Sequence, residues 1–163
     1  FTAAIESQDQ YVFEATAALN GVDTINNFNN ANAATDDTLD FRAFLGGASS
    51  LGAAANFVTT GLDLSGAANV GVVWNKASLS ASDIATAAAA GKIAVENNGK
   101  AVVLVSADAD GASDATNDAY KVYYIEDTNT GAGQTWVVTL VATINSNTEL
   151  NAADLVDGTD GFI

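Results

Sequence analysis

The chain has no cysteine, histidine, methionine or proline, and only five of its 163 residues are lysine or arginine. Without cysteine there are no disulfides and no thiol nucleophile. Without histidine the usual zinc ligand sets and imidazole acid–base chemistry are also missing. Few enzyme mechanisms survive that list, and the chain reads as non-enzymatic. Lack of cysteine also suits a protein that works outside the cell without disulfide sorting. No run reaches the roughly 18 apolar residues of a membrane helix, so membrane insertion is not expected, and no basic segment followed by an apolar one marks a signal peptide. The chain opens on Phe1 rather than Met, which points to processing or to a piece of something longer.

The scarcity of basic residues has its own consequence. Twenty acidic residues against five basic ones give a formal charge of -15. Such a chain repels nucleic acid and anionic membrane surfaces, and it favours divalent cations.

Hydrophobic residues make up 48% of the chain, enough for one core in one domain spanning 1–163. Much of that fraction is Ala and Val, which suits thin, closely packed sheets. QYVFEATAAL, from Gln10 to Leu19, alternates as a strand does and ends at the turn signal Asn20-Gly21. DTLDFRAFL, from Asp37 to Leu45, reads as a short strand or a tight turn with an aromatic anchor. NFVTTGLDL and NVGVVWN are further short strands. LSASDIATAAAAG reads as a helix, because Ser80 and Asp83 have the spacing of a capping box and Gly91 suits the position after its end.

KAVVLVSAD, AYKVYYIED and QTWVVTLVATI are rich in β-branched and aromatic residues and read as an antiparallel meander. In the last strand Trp136, Val138, Leu140, Ala142 and Ile144 are expected on one face. Val137, Thr139, Val141 and Thr143 are expected on a second, half-polar face. NSNTELNAADLV suggests a further short helical turn capped by Thr148 or Asn151. The expected fold is mainly β: an antiparallel sheet or sandwich-like domain with one or two short helices, preceded by an N-terminal arm at 1–10.

Two acidic clusters are candidate calcium sites, since hard cations take several oxygen ligands. In DADGASDATND, Asp108, Asp110, Asp114 and Asp118 can converge if Gly111 turns the loop back on itself. It is no EF-hand, because the glycine comes early and Ala119 stands where the bidentate Glu belongs. The competing reading is a solvated Asx-rich hairpin loop. Asp36, Asp37 and Asp40 form the second cluster, for which turn formation through side-chain to backbone hydrogen bonds is the alternative. Glu14, Glu96, Glu126 and Glu149 lie near strand ends, but a sugar-cleaving pair needs a set separation and usually more aromatics than Trp74 and Trp136. Both tryptophans read as core anchors.

VDTINNFN followed by DDTLDFRAFLGG resembles a segment of hemolysin-type (RTX-related) secreted bacterial proteins, through Asp23, Thr24, Ile25, Phe28, Asp37, Leu39, Asp40, Phe41 and Phe44. The stretch from Lys121 to Ile163 is similar to the C-terminal part of surface-layer and related proteins exported by type I ABC systems. Those proteins are acidic and cysteine-poor and carry an uncleaved C-terminal signal, which Asp160-Gly161-Phe162-Ile163 resembles; Gly161 departs from the usual apolar residue. The glycine-aspartate nonapeptide repeats of the calcium β-roll are absent from this sequence. The resemblance implies a secretion signal within 145–163 and an extracellular or cell-surface location. The expected function is a structural protein that assembles with itself into a surface layer, fibre or matrix, with edges of the meander or the arm FTAAIESQDQ making the contacts. The alternative is a calcium-stabilised adhesion or carbohydrate-binding module that takes a surface glycan.

Overall fold

The computed structural model describes residues 9–29, 37–47, 61–66, 68–73, 79–106, 118–129, 131 and 133–146. In chain order the elements are β1 (Gln10–Val12), α1 (Ala17–Asn20), β2 (Asp23–Phe28), β3 (Thr38–Asp40), α2 (Arg42–Leu45), β4 (Leu62–Leu64), β5 (Val70–Val73), α3 (Ala81–Ala89), β6 (Ile93–Val95), β7 (Lys100–Ser106), β8 (Asp118–Asp127) and β9 (Trp136–Ser146). The fold is mainly β, as expected, with three short helices among the described residues.

A five-stranded sheet in the order β2-β9-β8-β7-β5 forms the middle layer. The expected meander is its centre: β7, β8 and β9 pair antiparallel. Its two flanks are parallel, β2 on β9 and β5 on β7, so the sheet is mixed. Two small parallel pairs, β1-β3 and β4-β6, pack on opposite faces. Half a turn about an axis along β8 exchanges β7 with β9 and β5 with β2 in order and direction. In topology it also carries β1-β3 onto β4-β6.

Sheets covered on both sides need strands that are apolar on both sides. KAVVLVS in β7 meets that need: Val102 and Leu104 enter one core, while Ala101, Val103 and Val105 enter the other. Burying each such Val or Leu is worth about 1.5–3 kcal/mol. The first core is aromatic, with Phe13, Phe28, Phe41, Phe44, Tyr120 and Tyr124 closing under β1, β3 and α2. The second is aliphatic and lies under α3, β4 and β6, with Tyr123 as the one buried ring among the described residues.

The expected facing of β9 fails halfway along it. Val122 pairs with Ala142 but Tyr123 pairs with Leu140, so Val141 is an extra residue in the ladder. A bulge of one residue reverses the alternation beyond it. Trp136, Val138 and Leu140 therefore pack on the aliphatic core, whereas Val141, Ala142 and Ile144 lie in the aromatic one. β2 uses the same device. Asn27, at φ 57°, breaks its register with β9, which lets Ile25 and Phe28 enter the same core despite their odd spacing.

The long first strand expected from Gln10 to Leu19 stops at Val12. Thr16 caps α1 by accepting a hydrogen bond from the Leu19 amide at 3.3 Å, and Asn20 holds the turn in place. The Asn20 side chain accepts from the Glu14 amide and donates to the Val141 carbonyl, so tertiary bonds override the local alternation. α3 forms as its signals require. Ser80 and Asp83 make a reciprocal capping box, and Gly91 at φ 71° closes the far end, with Gly91 and Lys92 donating back to Ala88 and Ala87. The Tyr123 hydroxyl donates to the Leu79 carbonyl at 2.9 Å, tying the start of α3 to the sheet.

Candidate functional site

Of the residues read as calcium ligands, Asp36, Asp108, Asp110 and Asp114 lie outside the described residues, as does the side chain of Asp118. Asp37 and Asp40 are described, and both are buried. Asp37 accepts from the Asp9 amide at 3.0 Å with one oxygen and from the Asn29 amide at 2.9 Å with the other. It thereby pins the start of β1 and the end of β2 to β3. Asp40 takes the guanidinium of Arg42 on both oxygens and also accepts the Arg42 amide at 3.0 Å. That pairing holds its carboxyl below the usual carboxylate range. Both carboxylates act as acceptors for their own fold, in keeping with the turn-forming alternative.

A third buried carboxylate lies outside both clusters read from the sequence. Asp127 ends β8 and accepts amides from Thr135 at 2.8 Å, Asn129 at 3.1 Å and Asn98 at 3.1 Å. Its own amide donates to Gly99 at 3.0 Å. One side chain thus closes the β8–β9 loop and anchors it to the turn before β7. The Thr135 amide, followed by those of Asn98 and Asn129, lowers its pKa. The available signal was its place at the end of a strong strand, followed by TNTGAGQ, where an Asx side chain must collect orphan amides.

The aromatic core has polar contacts of its own. Phe44 stacks on Tyr124 with centroids 3.6 Å apart, and Lys100 Nζ lies 4.9 Å from the Phe44 centroid. The Tyr124 hydroxyl donates to the Glu14 carbonyl at 3.0 Å. Burial first, and the charge of Glu14 second, push its pKa well above the ordinary tyrosine value. Of the glutamates considered above, Glu126 lies 3.8 Å from Lys100 Nζ, and Glu149 lies outside the described residues, as does Trp74. Trp136 packs on the aliphatic core, the anchoring role expected of it.

Three surface features remain. The outer edge of β2 has no strand partner among the described residues, and Asp23, Thr24, Asn26 and Asn27 on it are exposed. Close to it in sequence, Val12, Leu19 and Val22 are 62, 70 and 63% exposed, which is unusual for three large apolar side chains within eleven residues. A cavity of about 360 Å³ runs between β1 and β2, lined by Gln10 to Phe13 and Asp23 to Ile25. A second cavity, about 320 Å³, places Asn69, Glu96, Asn98 and Lys100 around Leu45 and Leu64.

The edges of the meander are covered only in part. Among the described residues β2 pairs with Ala142–Ser146 of β9 and β5 with Val102–Val105 of β7, so Trp136–Val141 of β9 has no strand partner on that side, and the outermost edges belong to the parallel flanks. No protein-family model, curated protein or solved structure gives a significant match to this chain.

Proposed function

We propose that the chain is a non-enzymatic extracellular structural protein of a bacterial surface that assembles with copies of itself into a layer, fibre or matrix. The observation that carries this reading is the exposed edge of β2, which has no strand partner among the described residues, with the exposed Val12, Leu19 and Val22 close to it in sequence. Soluble proteins usually blunt such an edge with lysine or proline, and β2 has neither. Sedimentation velocity over a wide concentration series, with and without calcium, tests it, with electron microscopy of the concentrated samples. Concentration-dependent assembly into sheets or filaments is expected. A chain that stays monomeric throughout overturns the reading.

A second reading, an adhesion or carbohydrate-binding module, rests on the smaller cavity, which gathers Asn69, Glu96, Asn98 and Lys100 with Leu45 and Leu64, polar groups that sugar hydroxyls can bond beside apolar side chains. Glycan binding by a monomeric chain would favour it. Calcium belongs to this reading as a stabiliser, and a melting temperature unchanged between calcium and chelator would remove it.

A further inference from the structure

Resting on the self-assembly reading, we propose that its first unit is a two-fold dimer, in which the outer edge of β2 pairs antiparallel with the same edge of a second copy. An open edge offers a row of backbone donors and acceptors that only another extended chain satisfies along its length. The other flank of the sheet is a poor candidate. All four residues of β5 are buried, and the Leu62 side chain sits against Gly71. Asp23, Thr24, Asn26 and Asn27 of β2 are exposed, and Val12, which lines the same cavity, and Val22, which directly precedes the strand, supply apolar area to bury.

Charge selects the occupant. Between Glu14 and Asp36 the sequence holds a single ionisable side chain, Asp23, in a chain of net charge -15. A second copy therefore meets little repulsion here, while a basic partner finds more attraction at acidic stretches such as Asp36 to Asp40.

Charge also selects the direction. A parallel in-register pair would set Asp23 against Asp23, and like charges directly opposite destabilise a sheet. An antiparallel pair centred on Ile25 sets Thr24 opposite Asn26 and keeps the two copies of Asp23 at opposite ends of a pairing that stops short of the left-handed Asn27. The two-residue period then keeps both aromatic cores on one side of a sheet that runs through both copies. Because the contact is isologous, it consumes the edge and closes at two, so growth into a layer proceeds through other surfaces.

The test compares three full-length proteins by sedimentation equilibrium at low salt. In the Thr24→Lys/Asn26→Lys variant, positive charges oppose each other across the two-fold axis, and the dimer dissociation constant should rise roughly tenfold or more. In the Thr24→Lys/Asn26→Glu variant, opposite charges meet, and affinity should equal or exceed that of the native chain. Asn26→Lys removes the acceptor of the Asn145 side-chain amide while Asn26→Glu keeps one, so thermal melting checks that each variant folds as the native chain does. Equal association by all three proteins, or equal weakening in both variants, overturns the β2 dimer and leaves self-assembly standing. A native chain that never associates overturns both.

Discussion

On one side of the central sheet all four phenylalanines among the described residues crowd together with Tyr120 and Tyr124; on the other there is none. The covering elements differ in step. The aromatic side is roofed by two three-residue strands and two helices of four residues, the aliphatic side by the nine-residue α3 with β4 and β6. Short pieces bury little surface each and have little helical stability of their own. Large rings offset this by burying 150–250 Å² apiece, on the usual scale for aromatic side chains. α3 has its capping box and its terminal glycine, so Ile84, Ala87 and Ala88 suffice on its buried face. What the local sequence does not stabilise, ring packing must.

The largest effect should come from taking a ring out of the aromatic side. Phe41 is fully buried, 4.5 Å from the Phe13 ring, and Phe41→Ala should cost about 4 kcal/mol. Ile84→Val on the other side should cost about 1 kcal/mol. Urea denaturation of the two variants measures the difference, and equal losses would break the comparison.

Each side also has its own buried carboxylate clamp, Asp37 for β1 to β3 and Asp127 for the turn after β6. The pKa of Asp127 is lowered in the folded chain. Its stabilisation is therefore present above the unfolded carboxylate value near ~3.9 and is lost as pH falls through the lower folded value. Asp127→Ala should be clearly less stable near neutrality and should flatten the acid limb below about pH 4. Thermal melts across that range read the change, and an unaltered limb would remove Asp127 from the acid response.

A smaller loss is expected where β4 crosses β5. A Cβ on Gly71 would lie 2.6 Å from Leu62 Cδ2, inside the aliphatic core. Gly71→Ala should cost about 2 kcal/mol. Combined with Leu62→Val, the loss should fall short of the sum of the two, because the second change makes room for the first.

Smallest of all is Tyr124→Phe, at about 1 kcal/mol, through the bond to the Glu14 carbonyl. The folded pKa of Tyr124 is raised, so its contribution is full below the unfolded value near ~10 and declines as pH rises beyond it. The variant should lose less stability than the native chain on going above about pH 10, and absorbance titration of the phenolates checks this.

The strongest strands and α3 were legible because their signals are local. β7 and β8 are runs of β-branched and aromatic residues, and Ser80, Asp83 and Gly91 mark the helix at both ends. Pairing across long separations left no such mark, which is why the parallel pairing of the flanks went unread although NVGVVWN itself reads as a strand, and the short β6 went unread with it. The face change at Val141 was hidden for a different reason: one extra residue in a ladder is visible only once its partner strand is known. The same holds for the candidate site. Asp37 and Asp40 drew attention as carboxylates, but their partners, Asp9, Asn29 and Arg42, come from the fold. An open edge is a property of strand order, which no stretch of β2 carries by itself.

The parallel pairing of β2 with β9 also sets a clock. Asn26 meets Asn145 and Phe28 meets Ser146, partners 119 and 118 residues apart. A chain made from its N-terminus holds β2 without its partner until the last described strand has emerged, and contacts of such separation form slowly. The central sheet is therefore completed late, and the aromatic core that Ile25 and Phe28 share with Val141, Ala142 and Ile144 closes with it.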